Sequence, residues 1–155
     1  MNTPKSIPTP LTVTGLNVHN SVGHAIVRAL KRHGVECTFG QSLPTMFQLS
    51  AEAGGIKQIV YRTENAGGYM ADAYARLTGK PGIVTAQNGP AAALLVAPLA
   101  EALKASIPVI ALVQDVSRLQ TDKNAFQDLD HIGMFSAVSK WVRRVNEPSR
   151  VDDYI

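Results

Sequence analysis

The chain predicts an α/β domain, an open parallel sheet of five or six strands with helices on both faces. Three observations carry this expectation. Short apolar runs bounded by turn residues alternate with stretches of helical periodicity, the pattern of strands joined by crossover helices. The 155 residues, 45% of them hydrophobic, suffice for one domain with a substantial core. Two polar sequences, Thr63-Glu64-Asn65 and Gln87-Asn88-Gly89-Pro90, each begin where an apolar run ends. In an open α/β sheet such points lie at the carboxyl ends of strands, where ligands bind.

The elements follow in order. The first ten residues carry prolines at 4, 8 and 10 and no continuous apolar core. They form neither a secretory signal nor an anchor, and residues 1–15 read as a flexible leader. Asn20 or Ser21 can cap a helix whose apolar stripe is Val22, Ile26, Ala29 and Leu30. Lys31, Arg32 and His33 fill its last turn and Gly34 stops it. Val35–Phe39 is the first strand. A turn over Gly40-Gln41-Ser42-Leu43-Pro44 leads to a short helix, Thr45–Ala53, ended by Gly54-Gly55. Ile56–Tyr61 is the second strand.

A helix follows from about Asn65 to Leu77, closed by Gly79 and Pro81. Gly82–Ala86 is the third strand. The next helix, about Ala91–Lys104, contains Pro98, which predicts a kink or break at that residue. Val109–Val113 is the fourth strand, Ser117–Asp130 is polar and irregular, and Ser139–Val145 alternates as a further strand does. Ser149 can cap a last helix with Asp152-Asp153 in its first turn. That helix is cut short at Ile155, after barely one turn, and so short a helix does not sustain itself. The expectation is a piece of a longer polypeptide.

Charge and cysteine usage narrow the class. Charged residues make up 17% and the net charge is +3. The basic residues are scattered or end helices, so nothing indicates a nucleic-acid surface. No run approaches the roughly 18 apolar residues of a membrane helix. Cys37 is the lone cysteine and cannot form an intrachain disulfide. It reads as a small buried hydrophobe in a strand, and a reducing, cytoplasmic setting fits. His19, His24, His33 and His131 have no metal-ligand spacing, so no metal site is assigned to this chain.

Glu64 has two readings. At a helix start a carboxylate can satisfy free backbone N–H groups and the positive end of the dipole, worth roughly 0.3–1 kcal/mol. It can also be a functional acid in a crevice, hydrogen-bonded to a ligand nitrogen. The helix behind it is dense in small residues: Ala66, Gly67, Gly68, Ala71, Ala73 and Ala75. A glycine costs a helix about 1 kcal/mol relative to alanine, so the Gly67-Gly68 pair needs a cause. Close approach of a cofactor or another backbone is one, and tight packing on the domain's own sheet is the other.

The run from Glu64 through Met70-Ala71 to Tyr74-Ala75-Arg76, with Gly89-Pro90 after the third strand, resembles the pyrimidine-binding domain of thiamine-diphosphate enzymes of the acetolactate synthase type. The resemblance spans roughly Val18 to Arg144. Ala125-Phe126-Gln127 resembles the Ala-Phe-Gln-Glu of that family, with Asp128 in place of the glutamate. It implies a pyrimidine-binding domain over 16–150, with 151–155 the start of a truncated helix. It implies that Glu64 is catalytic and binds cofactor, and that Asn88, Gly89 and Pro90 contact thiamine diphosphate. It also implies that Phe126 and Gln127 line the substrate pocket. From the residues alone, Phe126 can equally be an apolar plug that pins a long loop. In the family the glutamate hydrogen-bonds N1′ of the aminopyrimidine, so that the 4′-nitrogen can remove the thiazolium C2 proton.

The sequence departs from the family in places. Ala91 replaces the second glycine of the usual Gly-Pro-Gly turn, and Ala93-Leu94 stand where threonine and asparagine are usual. The Gly40–Pro44 turn lacks the usual Gly-x-Pro-Gly. There is no His-His pair of the pyruvate decarboxylase kind, and His131 alone does not replace it. A Gly-Asp-Gly…Asn motif for the diphosphate and Mg²⁺ is not found. The resemblance therefore implies half a site: cofactor and Mg²⁺ are completed by a diphosphate-binding domain of the same or a partner subunit, in a homo-oligomer. The implied reaction is decarboxylation of a 2-oxo acid such as pyruvate and ligation to a second carbonyl, with the isolated chain inactive. A simple 2-oxo acid decarboxylase and a non-catalytic α/β ligand-binding or regulatory domain stay open as alternatives.

Overall fold

The computed structural model describes residues 20–155, so the leader expected at 1–15 lies outside the described residues. Helix α1 spans Val22–Arg32. Ser21 caps it by accepting a hydrogen bond from the His24 N–H at 3.1 Å, and Gly34 follows with φ +75°. Its buried stripe runs through Val27, Ala29 and Leu30, while Val22 is turned outward. Strand β1 (Cys37–Gly40) leads to α2 (Thr45–Ala53), then β2 (Lys57–Val60) and α3 (Glu64–Thr78). Strand β3 (Gly82–Ala86), α4 (Pro90–Ala93), α5 (Val96–Ala105) and β4 (Val109–Val113) complete the α/β unit. The remainder holds a short α6 (His131–Ser136) and a single-turn α7 (Val151–Tyr154).

The sheet is parallel throughout, in the order β2-β1-β3-β4. Among the described residues it has four strands, not five or six. The missing strand is Ser139–Val145, which pairs with no ladder. Alternation of apolar and polar residues reports an extended, half-buried segment and says nothing of backbone pairing. Here Val138 and Val142 pack on the core, while Arg144 pairs with Asp115 at 2.6 Å.

Strand side chains alternate between two cores, as the pleat requires. Ile83, Ile110 and Leu112 join α1 and α2 on one face through Val27, Leu30, Phe47 and Ala51. Val84, Ala86, Val109, Ala111 and Val113 join α3, α5 and α6 on the other, through Ala71, Leu95, Leu99 and Phe135. Both faces are thus covered by helices, as a parallel sheet demands.

Two helix expectations are corrected. The predicted break at Pro98 falls earlier, at Leu94-Leu95, between α4 and α5. Proline cannot donate to the carbonyl four residues back and its ring collides with that carbonyl, here Leu94. The chain therefore restarts the helix at Val96 and carries Pro98 in its first turn, where no donor is needed. At the chain end, Ser149 does not cap. It lies in a 3-10 turn (Pro148–Arg150) and its N–H and hydroxyl both bond Glu147. Helix α7 is held by docking rather than by its own length: Val151 is buried and Asp152 pairs with Arg32 of α1 at 2.6 Å.

The chain passes outward one way from β1 to β2 and the other way from β3 to β4. The topological switch point therefore lies between β1 and β3, and the crevice at their carboxyl ends is the expected ligand position.

Candidate active site

Glu64 is the first residue of α3, four residues past the end of β2, and is half-buried. It lines a small cleft with Gln41 and Ser42 from the end of β1, Leu43, Tyr61, and Gln87 from the end of β3. This is the switch-point crevice. The N-cap is Thr63, which makes no side-chain capping bond, and one free N–H of the first turn is met by Asn65, whose side-chain oxygen accepts the Ala66 N–H at 2.9 Å and the Thr63 hydroxyl at 2.7 Å. Among the described residues no hydrogen bond or ion pair engages the Glu64 carboxylate. Its charge lies at the positive end of the α3 dipole.

Tyr61 forms the floor of the cleft. Its hydroxyl donates to the Thr85 carbonyl oxygen at 2.5 Å, tying β2 to β3 across the intervening β1. Burial, and next the negative charge of Glu64, push the phenol up to about 12. Tyr61 therefore stays neutral and keeps donating. Gln41 bridges on the rim, its amide donating to the Arg62 carbonyl at 3.3 Å and the Tyr61 carbonyl at 3.5 Å.

The Gly67-Gly68 pair has a packing cause. A Cβ on Gly67 would run into the Tyr61 ring, and one on Gly68 into Pro98 of α5. Ala71 backs onto Gly82 in the same way. The small residues on this side let α3 lie tight on its own domain, with Tyr61 directly under the Glu64 turn. The other side of α3 is bare: Ala66, Tyr69, Ala73 and Leu77 recur at helical spacing and are exposed, Leu77 to 87%.

The Gln87-Asn88-Gly89-Pro90 turn is bound to a distant loop. Asn88 is 5% exposed, and its amide donates to the carbonyl oxygens of Gln127 at 3.0 Å and Phe126 at 3.3 Å. The Gln87 amide donates to the Gln127 side-chain oxygen at 2.9 Å. Gly89 has φ +68°, and a Cβ there would come to 2.5 Å from the Gln127 carbonyl oxygen, so this position suits glycine alone. Gln127 itself has φ +59°. Pro90 opens α4, at the position where a missing N–H costs nothing.

The structure thus brings Glu64 and Gln87 into one cleft and places Asn88, Gly89 and Gln127 next to it, linked through Gln87. Phe126 lies in the same loop but is 83% exposed, so it does not plug the core. The loop is pinned instead by its backbone carbonyls. Gln87 begins a turn that the sequence already placed at a strand end, whereas sequence reasoning missed Gln41, Ser42 and Tyr61 as cleft residues. Their only signal was adjacency to the strand ends. It also missed His131, which accepts the Gly89 N–H at 2.8 Å across 42 residues of chain. No local pattern reveals such a contact. Among the described residues, no three His, Cys, Asp or Glu side chains gather as metal ligands, and no helix is long and apolar enough to cross a membrane.

Residues 20–134 match the family described as the thiamine pyrophosphate enzyme, N-terminal TPP binding domain. An acetolactate synthase of Arthrospira platensis is 38% identical over 133 residues, 82% of this chain and 23% of that protein. The chloroplastic acetolactate synthase of Arabidopsis thaliana is 36% identical over 118 residues, 74% of this chain and 18% of that protein. The acetolactate synthase isozyme 2 large subunit of Escherichia coli is 36% identical over 117 residues, 74% of this chain and 21% of that protein. The chain spans about a fifth of the length of the curated relatives it matches.

Proposed function

The chain belongs to the thiamine pyrophosphate enzyme N-terminal TPP-binding family, and on that premise we propose that it is the pyrimidine-binding half of a carboligase of the acetolactate synthase type. The substrate is a 2-oxo acid such as pyruvate, decarboxylated and ligated to a second carbonyl. One observation carries the reading. Glu64 presents to a polar cleft at the switch point a carboxylate that has no hydrogen-bond or ion-pair partner among the described residues, while Asn65 accepts an N–H of the helix start. A carboxylate left unsatisfied there is suited to hold a proton at a ligand nitrogen.

The cleft residues fit the pyrimidine end of thiamine diphosphate. Glu64 would hold a proton at ring nitrogen N1′. Gln41, Ser42 and Gln87 offer amide and hydroxyl groups at the rim. When bound, the cofactor supplies the electron sink for decarboxylation. Gln87 orders Gln127, which with Phe126 would form one wall for the substrate. Asn88, Gly89 and Pro90 would support this wall from behind, since the Asn88 amide is directed at the 126–127 backbone.

The diphosphate and Mg²⁺ are assigned to a further domain of the same or a partner subunit. The exposed stripe of α3 supports a homo-oligomer that covers it. Accordingly, the 155-residue chain alone should show no decarboxylase or carboligase activity and bind thiamine diphosphate weakly. Tight, magnesium-dependent binding in calorimetric titration would contradict this. In the full-length enzyme, Glu64→Gln should lower turnover by about 10²–10⁴-fold, the range of positioned acid–base groups. It should slow C2-proton exchange of the bound cofactor in step. Normal C2-proton exchange in that variant would instead favour a non-catalytic binding domain, the reading that the inward-facing Asn88 and the Ala91 turn support.

A further inference from the structure

Beside the cleft, four segments of chain meet at His131. Its ring is 7% exposed, at the start of α6. Nε2 accepts the N–H of Gly89, so the ring proton of the neutral imidazole resides on Nδ1. Nδ1 faces Asp115 Oδ1 at 3.8 Å, just past the end of β4, and Asp115 Oδ2 accepts from Arg144 Nε at 2.6 Å. The Asp115 carboxylate, held by Arg144 and by the Val116 N–H at 2.9 Å, thus lies behind the imidazole beyond hydrogen-bond distance, and the bond that fixes the ring is the one at Nε2. Asp130, next to His131, is engaged in capping α6 through the Gly133 N–H at 2.9 Å.

The Gly89 donor is the orphan amide at the helix N-cap, a group that costs about 1–3 kcal/mol when buried unsatisfied. Among the described residues the acceptor that meets it is the His131 ring. By holding Gly89, His131 fixes the turn whose two preceding residues grip the loop: Asn88 through the 126 and 127 carbonyls, Gln87 by donating to the Gln127 side-chain oxygen. Gln87 also lines the Glu64 cleft. Moving the Gly89 turn must therefore move Gln127 and Phe126 relative to that cleft.

We infer that His131 is a positioning residue: as a neutral acceptor at Nε2 it locks the Gly89 turn and so sets where the Phe126-Gln127 wall stands against the Glu64 cleft. It touches no reacting atom. Its effect falls on acceptance of the 2-oxo acid and not on the proton held by Glu64. The inference rests on the proposed thiamine-diphosphate chemistry for its kinetic part, and on the hydrogen bond alone for the rest.

The test uses the full-length protein with His131→Phe and His131→Gln, both checked for wild-type circular dichroism. Phenylalanine fills the buried space without an acceptor, whereas the glutamine side-chain oxygen can take the Gly89 N–H. Hydrogen exchange of the peptide containing Gly89 is read by mass spectrometry. It should speed up by about 10-fold in His131→Phe, as for one lost hydrogen bond, and return towards wild type in His131→Gln. In steady-state kinetics, kcat/KM for the 2-oxo acid should fall by about 10- to 100-fold in His131→Phe, mainly through KM, with recovery in His131→Gln. C2-proton exchange of the cofactor should stay within about 2-fold of wild type, since a group that does not touch the reacting atoms leaves that step alone. Unchanged Gly89 exchange in His131→Phe overturns the inference, and so do equal kinetic losses in both variants. Loss of C2-proton exchange parallel to the loss in kcat/KM overturns it as well. Glu64→Gln serves as the control: if it leaves C2-proton exchange normal, the proposed chemistry fails, while the Gly89 exchange result stands or falls by itself.

Discussion

At the end of β2 the Glu64 carboxylate faces a cleft and has no hydrogen-bond or ion-pair partner among the described residues, whereas at the end of β3 the Gln87-Asn88-Gly89 turn bonds to the loop at 126–131. Both turns leave the carboxyl edge of one sheet, and Gln87 of the β3 turn also lines the Glu64 cleft. The difference separates two tasks. On the proposed reading, a group that binds a ligand keeps its polar atoms uncommitted and is held through its backbone and its neighbours, here Asn65 and Tyr61. A group that must hold a wall in place uses its polar atoms inside the protein. The two turns should therefore respond in opposite ways to substitution: stability resides in the β3 turn and turnover in the β2 turn.

Stability measurements sharpen this contrast, from the largest effect to the smallest. Gly89→Ala should cost about 2–4 kcal/mol, because it puts a Cβ at a positive φ and against the Gln127 carbonyl. Denaturant titration measures it, and a loss under about 1 kcal/mol would break the idea of a rigid β3 turn. Asn88→Ala removes both donations to the 126–127 carbonyls and should cost about 1–3 kcal/mol by the same measurement.

Tyr61→Phe should cost about 1 kcal/mol through the lost bond to Thr85. It also carries a pH signature. The phenol lies above its ordinary value of 10.0, at about 12, so the folded state retains a proton that the unfolded state releases. The contribution of Tyr61 is complete below pH 10, declines through the window up to about 12 and is absent above it. A melting curve of Tyr61→Phe against pH should lack that part of the alkaline decline. An identical decline in both proteins would remove Tyr61 as its source. Glu64→Gln should change stability least, by about 0.3–1 kcal/mol at most, since only the dipole term is lost. A larger loss would mean that Glu64 holds the fold together, and the contrast between the turns would collapse.

A last measurement concerns the bare side of α3. Sedimentation at several concentrations should show self-association of the 155-residue chain, weakened by Leu77→Lys, since Leu77 is 87% exposed in a stripe with Tyr69. A strictly monomeric species at high concentration would leave the stripe without that partner.

Most of the scaffold was legible in the sequence because its causes are local. Ser21 caps α1 and Gly34 ends it, β3 and β4 fall on the predicted runs, and Glu64 stands at the junction of β2 and α3. Caps, apolar periodicity and glycine turns act within a few residues, so one sequence displays them. The cleft was legible only in outline. Glu64 and the 87–90 turn were recognisable by residue type at strand ends, while Gln41, Ser42 and Tyr61 became cleft residues only when β1, β2 and β3 lay side by side.

The tertiary structure decided the remaining questions, and in each the reason is a contact between segments far apart in the chain. Ser139–Val145 alternates as a strand does, yet pairing needs a free sheet edge at the right height, and packing sends it elsewhere. The small residues of α3 admitted a cofactor or a sheet, and Tyr61, Gly82 and Pro98 occupy the space. Phe126 admitted a plug or a pocket wall, and its exposure rules out the plug. His131 carried no spacing that gave it meaning, and it meets Gly89 because α6 folds back on the carboxyl edge of β3. Sequence by itself determined the four paired strands, the helices between them and which residues carry charge to the sheet's carboxyl edge, since those are set by short-range sterics and periodicity. Which polar groups stay open and which are closed off depends on long-range partners, and only the folded chain supplies them.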